Sequence, residues 1–346
     1  MALSKTIVFN VNRREPQLVA AEKPTPNEIK QLSDIDDQEG LRFLVPFIFF
    51  YPPIVGGELD LVKIIRDAWG WDLPPCPYIE ELMCRVPDSG GIIGCPLLFL
   101  QITRFICGGL SMGILLNHTL ADGYGAMLFL NTKTELFKGA SVPSVQTVWQ
   151  RELLSARSPP RITCTHNEYE QVASNNQNPK DNFIQASIFF GPKEIQALKD
   201  QLPTNQIPSP TRFELTTACL WKCRTIALEP NPNDITRISI VMNARRKKEI
   251  GLAIGYYGNG VSPLTYALDL VRQAEAQLSE EYIKSVADFM VIKGRPKYEK
   301  KLNYMVSDLT NLHFDKFDLG WGKPLYAGVP RTTSIISFYT SLNFKE

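Results

Sequence analysis

The sequence predicts an α/β protein of about two domains. Three observations carry this. A length of 346 residues is ample for a large core and exceeds the common size of one domain. Apolar runs with strand character alternate along the chain with segments of helical spacing. Residues 141–179 are Pro- and Asn-punctuated and poorly periodic, and read as a linker between two halves.

The elements follow in order. Residues 6–11 read as a strand, and a Pro-punctuated loop runs from there to Asn27. Residues 43–51 are a continuous apolar run and read as a buried strand, and 59–68 as a short helix. Residues 96–105 partly alternate, as a strand with one wet face does. Cys107-Gly108-Gly109 is a turn, and 110–116 is a further strand, so a hairpin is expected. Residues 124–137 read as a helix, with Asp122 and Gly123 as cap and turn and Lys138-Gly139 as its stop. Beyond the linker, 184–190 is strand-like, and 192–202 is helical with Pro192 at a tolerated first-turn position. Residues 213–226 read as a buried helix, 237–243 as a strand and 267–286 as a long helix. Residues 304–307, 314–317 and 334–339 complete the expected strands. No internal repeat or low-complexity tract interrupts this order.

Composition narrows the function classes. The charge is nearly balanced, with 37 basic against 36 acidic residues, so electrostatics make no case for nucleic acid or an anionic membrane surface. The 7 cysteines (76, 84, 95, 107, 164, 219 and 223) have neither metal spacing nor a disulfide-framework pattern. They read as buried free thiols in a reducing compartment, with Cys219 and Cys223 on one core-facing helix side. The first residues lack a signal-peptide core, the apolar run 43–55 is broken by prolines, and the last residues are not a peroxisomal address. The expectation is a cytoplasmic protein with no membrane partner, acting as a monomer.

The chemistry centres on Asn117-His118-Thr119-Leu120-Ala121-Asp122-Gly123. A histidine stands where a buried strand ends, and ligand crevices open at strand ends in α/β sheets. Histidine takes a proton near neutral pH without special tuning. Asp122, four residues on, either orients the ring or holds the turn through a cation elsewhere. Taken alone, the heptapeptide also fits a satisfied structural histidine beside an Asp-Gly turn. His166 and His313 have no ligand spacing to His118 and Asp122, so a metal site is not expected.

A second stretch, Asp318-Leu319-Gly320-Trp321-Gly322, lies near the C-terminus. Together with H-x-x-x-D it resembles the paired signature of the plant BAHD acyl-CoA-dependent acyltransferases. Residues 32–36, 218–224, 243–245, 255–259 and 306–308 match in the same order, over nearly the whole chain. Residues 148–157 and 161–169 look like the branch of fruit alcohol acyltransferases and benzyl alcohol O-benzoyltransferases.

The resemblance implies two chloramphenicol-acetyltransferase-like α/β domains with mixed sheets and a channel between them. It implies an N-terminal domain at 1–140, a crossover at 141–180 and a C-terminal domain at 181–346. It implies transfer of an acyl group from acyl-CoA, a co-substrate and not a permanent cofactor, to a small alcohol. His118 is the implied general base. Arg245 is the implied partner of Asp122, Asp318 and Trp321 belong to a structural loop, and Ser307 and Asp308 lie near the CoA arm. Arg246 to Lys248 read as a solvated basic loop.

The sequence departs from the family in three ways. Leu319 replaces the usual Phe, an apolar exchange that packing tolerates. Relatives carry chain that is missing here after Ala68 and after Gly260. They also carry a final strand and helix beyond residues 334–339. The deficit is roughly a hundred residues, on the order of a small domain. This keeps a second expectation open: a non-catalytic, shortened relative.

Overall fold

The computed structural model describes residues 10–20, 24–53, 75–76, 78–86, 93–170, 184–202, 210–266, 278–300 and 302–341. The expected helix at 59–68, most of the expected strand at 6–11 and the junction after Ala68 lie outside these residues.

Two four-stranded sheets organise the chain. The first has strands β1 (Leu44–Tyr51), β2 (Leu98–Arg104), β3 (Leu110–Asn117) and β7 (Tyr326–Gly328), in the order β2-β3-β1-β7, all antiparallel. Every residue of β3 is buried, as is nearly all of β1. That is why both read as continuous apolar runs and not as alternating ones. One face packs on helix α1 (Gly123–Phe137) through Phe47, Phe49, Met112, Ile114, Ala126, Met127 and Leu130. The other face covers Ile48, Phe50, Leu82, Met83, Phe99 and Leu115. The hairpin turn at 105–109 closes through Gly108 at φ 86°, a conformation that glycine adopts at no steric cost.

The second sheet is mixed. Strands β4 (Arg237–Asn243), β5 (Val261–Tyr266), β6 (Asn303–Asp308) and β8 (Ile336–Tyr339) lie in the order β5-β4-β6-β8. β4 pairs antiparallel with β5 and parallel with β6, and β6 pairs parallel with β8. Helices α2 (Pro192–Lys199) and α3 (Arg212–Leu228) follow the linker, and α3 begins with a full capping box between Thr211 and Glu214. Phe213, Leu220 and Trp221 of α3 pack on Ile238, Ile240 and Val306 of the sheet. Helix α4 (Glu280–Ile292) carries a second large core, from Tyr282 to Met290, against Ile35, Leu154, Tyr169 and Tyr256.

β7 comes from the last part of the chain yet belongs to the first sheet, where it pairs with β1. The preceding turn sends Phe314 and Phe317 against Phe49. The C-terminal stretch therefore completes the core that supports α1.

Several expectations are corrected. Residues 184–190 form no strand, and Ile184, Ile188 and Phe189 are exposed. β-propensity needs a ladder partner and a face to bury, and alternation alone supplies neither. Residues 314–317 form a short helical turn, closed by Lys316 N–H on His313 O and Phe317 N–H on Phe314 O. The expected long helix 267–286 appears as α4, starting at Glu280 with Ser279 as its N-cap; residues 267–277 lie outside the described set. α3 buries only Leu215 and Thr217, and Phe213, Leu220 and Trp221 are partly buried against the sheet. Cys223 is therefore exposed and Cys219 half-buried, not core, and among all seven free cysteines only Cys76 and Cys107 are buried. The linker is not loose either. Arg157 is hydrogen-bonded to buried Asp288 of α4 at 2.6 Å and to Glu281 at 2.8 Å.

Phe49 is fully buried between α1 and the 314–317 turn. Phe49→Ala is expected to lower unfolding free energy by about 3–5 kcal/mol in a urea titration. A loss below ~1 kcal/mol would show that the C-terminal turn does not share this core.

Candidate active site

The site begins with a turn built from its own side chains. β3 ends at Asn117, whose side-chain oxygen accepts from Thr119 N–H at 3.1 Å and Thr119 Oγ1 at 2.8 Å. His118 N–H donates to Phe43 O at 2.9 Å, and the two rings lie 5.1 Å apart. α1 then starts with Asp122 as N-cap, its Oδ1 accepting from Gly125 N–H at 2.8 Å. A Cβ on Gly125 would lie 1.9 Å from Tyr257 O, so only glycine lets α1 approach the second half this closely.

Asp122 does not serve the imidazole. Arg245, from the turn after β4, grips it with both arms, Nη1 to Oδ2 at 2.8 Å and Nη2 to Oδ1 at 2.9 Å. Gly260 N–H adds a bond to Oδ2 at 3.0 Å. Arg245 also donates Nε–H to Tyr256 O at 2.7 Å and stacks 4.6 Å from the Tyr124 ring. Both partners are buried. Of the two roles the sequence left open for Asp122, the geometry is that of a turn held through a cation from the other sheet.

A second buried pair, with no role expected from the sequence, lies on the other side of the turn. Asp36 is fully buried and receives Arg151 Nη1 at 2.6 Å. It also accepts Asn259 N–H at 2.7 Å and Asn259 Nδ2–H at 2.9 Å. Asn259 Nδ2 in turn donates to the carbonyl of His118 at 2.8 Å. Residues 36, 151 and 259 each sit in a stretch that resembles the family, but Asp36 and Asn259 are 223 positions apart. Nothing local to any one of them signals that they meet.

His118 itself is half-buried, although its ring is densely surrounded. Desolvation lowers its pKa below the ordinary value of 6.5; its own backbone carbonyl, Asp122, Asn259 and Asp36 pull the other way and are outweighed. The imidazole is therefore neutral at pH 7. Nδ1 is buried without a hydrogen-bond partner, and so is the side-chain oxygen of Asn259.

The remaining expected residues lie further out. Asp318 Oδ1 accepts from Gly320 N–H at 2.7 Å and Gly322 N–H at 2.9 Å, and Oδ2 pairs with Lys138 at the end of α1 at 3.3 Å. Burial raises its pKa, but those amides and Lys138 outweigh it, leaving the carboxyl below its usual range. Trp321 packs edge-on to Tyr51 at 5.3 Å. This loop braces α1 and β1. Ser307 is buried on β6, and Asp308 uses its carboxylate on Thr310 N–H at 2.9 Å and on the Thr310 hydroxyl.

Two other arrangements do not suit a nucleophile. Ser285, His166 and Glu168 have the connectivity of a nucleophilic triad, with Ser285 Oγ 2.8 Å from His166 Nε2 and His166 Nδ1 3.3 Å from Glu168. All three are buried, and Ser285 Oγ already accepts the amides of Thr163 and Cys164 at 3.0 and 2.9 Å. This cluster fastens the linker to α4. Burial pushes the Cys76 thiol up to about 12 and raises Cys219 as well, the reverse of what a nucleophilic cysteine requires. Among the described residues no three His, Cys, Asp or Glu side chains gather as a metal cluster, and no helix is long and apolar enough to cross a membrane.

The family described as the Transferase family matches residues 71–337. The chain belongs to this family, the BAHD acyltransferases. It is 41% identical to alcohol acyl transferase 1, allele GSd, of Malus domestica, over 96% of this chain and 87% of that one. It is 39% identical to benzyl alcohol O-benzoyltransferase of Nicotiana tabacum, over 99% and 89%. The crystal structure of vinorine synthase shares its fold, with a TM-score of 0.61 at 18% identity over 94% and 90% of the two chains. The two sheets are thus the mixed α/β layers of this acyltransferase fold. The alignments to the apple and tobacco proteins run over 401 and 411 residues, longer than this whole chain of 346, so both relatives carry internal stretches that this BAHD protein lacks.

Arg245→Met would leave Asp122 buried and unpaired, and is expected to cost about 3–5 kcal/mol of stability. Arg331→Ala, which breaks an exposed pair with Glu80, is expected to cost at most ~1 kcal/mol. Urea titrations of the two variants side by side test that contrast.

Proposed function

We propose that this protein transfers an acyl group from an acyl-CoA to the hydroxyl of a small alcohol, with His118 as general base. The observation that carries the proposal is a neutral, part-accessible imidazole at the end of β3, aimed by contacts from the second half of the chain. The likeness to enzymes named for alcohol acyl transfer and benzyl alcohol benzoylation supplies the substrate classes.

The steps balance without a covalent enzyme intermediate. With its hydrogen on Nδ1, the neutral imidazole keeps the Nε2 lone pair for the substrate. Nε2 takes the alcohol proton as the oxygen bonds to the thioester carbonyl carbon. The tetrahedral intermediate collapses, the C–S bond breaks, and the imidazolium returns the proton to the departing thiolate. The products are an ester and free CoA. The reaction requires no resident cofactor. Base assistance contributes about 10²–10⁴-fold, and holding both substrates together lowers the barrier further. Asp122 and Arg245 act as positioning residues, and Asp318 and Trp321 as supports.

The internal stretches that relatives carry favour a second reading, a folded relative that no longer turns over. Thiol release from acetyl-CoA or benzoyl-CoA with hexanol or benzyl alcohol separates the two. Alcohol-dependent release that falls about 10²–10⁴-fold in His118→Ala supports transfer. No release from folded protein supports the second reading.

The pH dependence has a defined sign. Only neutral His118 accepts a proton, and its pKa lies below 6.5, so kcat/KM is expected to stay level through neutrality and to fall on acidification only below about 6.5. An acid limb centred above 7 would contradict the assignment of His118 as base.

A further inference from the structure

The catalytic turn is held from two sides, and only the Asp122 side is accounted for by the histidine motif. On the other side, three successive carbonyls of the motif are each gripped. His118 O accepts from Asn259 Nδ2 at 2.8 Å, Thr119 O from Arg151 Nη1 at 3.4 Å, and Leu120 O from Arg151 Nη2 at 2.6 Å. Asp36 lies between the two donors and binds both. The Arg151 guanidinium is held in place by the Trp149 ring at 4.5 Å and the Tyr257 ring at 5.3 Å. Arg151 and Asp36 are essentially without solvent exposure, so neither serves solubility.

We propose that Arg151, Asp36 and Asn259 are positioning residues that fix the aim of His118 by clamping the backbone carbonyls of residues 118–120. The proposal rests on His118 being the base. The physical case is one of connectivity. A guanidinium presents a rigid fork of donors, so one Arg can bind a carboxylate and two carbonyls at fixed angles. Asn259 must present its NH2 group to the His118 carbonyl, because Asp36 and that carbonyl are both acceptors. This fixes the amide orientation and leaves its oxygen as the acceptor beside the imidazole. Rotation of the 118–120 peptides would break one of these bonds. The clamp also joins the two halves: Asp36 comes from the N-terminal stretch, Arg151 from the linker and Asn259 from the loop before β5. It meets the Arg245 clamp at Tyr256, whose hydroxyl donates to Asp36 at 3.4 Å and whose carbonyl accepts from Arg245 at 2.7 Å.

Two variants separate aim from stability. Asp36→Asn with Arg151→Met removes both charges together, which usually spares stability, but also removes the grip on Thr119 and Leu120. Arg151→Lys keeps the ion pair as a point charge and loses the fork. Both are expected to fold, to keep KM within about twofold, and to lose kcat, by up to ~10²-fold in the double variant and less in Arg151→Lys. The chain has only 3 histidines, so imidazole NMR resolves each of them. The His118 resonances are expected to move or broaden in both variants while those of His166 and His313 stay. Unmoved His118 resonances with wild-type kcat in either folded variant would overturn the proposal. The NMR arm does not need turnover. If the wild-type protein releases no thiol, the function reading fails, and the clamp is still judged by whether His118 moves.

Discussion

The structure depends on two carboxylate–guanidinium pairs buried on either side of one turn. Asp122–Arg245 and Asp36–Arg151 take four charges out of water. Such pairs add little net stability compared with apolar residues of the same shape, yet losing one partner is severe because the other charge stays buried. They act as all-or-none conditions on geometry. The turn that bears His118 is held in its observed form by both pairs. Asp122 belongs to the turn itself, and Arg245, Asp36 and Arg151 reach it from three other parts of the chain.

That arrangement makes the site a product of assembly. The first sheet supplies His118 and the N-cap Asp122, β4 and its following turn supply Arg245, and the linker supplies Arg151. Gly125 marks a close approach between the halves, and Gly260 one within the second half. A Cβ at Gly260 would lie 2.8 Å from the Arg245 guanidinium. The Asp318 loop braces the same unit from behind through Lys138 and Tyr51, with no direct contact to the imidazole needed. Relatives carry internal stretches that this chain omits, yet Asp122 and Asp36 beside His118 are each paired with a guanidinium.

The buried electrostatics also bear on the imidazole. Desolvation lowers the His118 pKa and outweighs the opposing pull of Asp122 and Asp36, each of which is paired with a guanidinium. An unpaired aspartate in the same place would raise the imidazole pKa and store the proton that a base must be free to accept. The same logic separates His118 from His166. His166 has hydrogen-bond partners on both ring nitrogens and is closed to solvent, so it serves packing.

The sequence by itself determined the strand–turn–helix around His118, most element positions, and the family. Apolar runs, cap residues and ordered motifs are local signals. They fixed 43–51, 110–117, 123–137 and 237–243 to within a residue or two. It misjudged residues 184–190, 314–317 and the cysteines of α3, where the outcome depends on what packs opposite. It named Arg245 as a partner of Asp122 only through resemblance. Tertiary structure alone decided that Asp36, Arg151 and Asn259 converge on His118 and that β7 completes the first sheet. Contacts 141 to 223 residues apart leave no trace in local periodicity. They arise because a buried charge must find its partner wherever the folded chain brings one within reach.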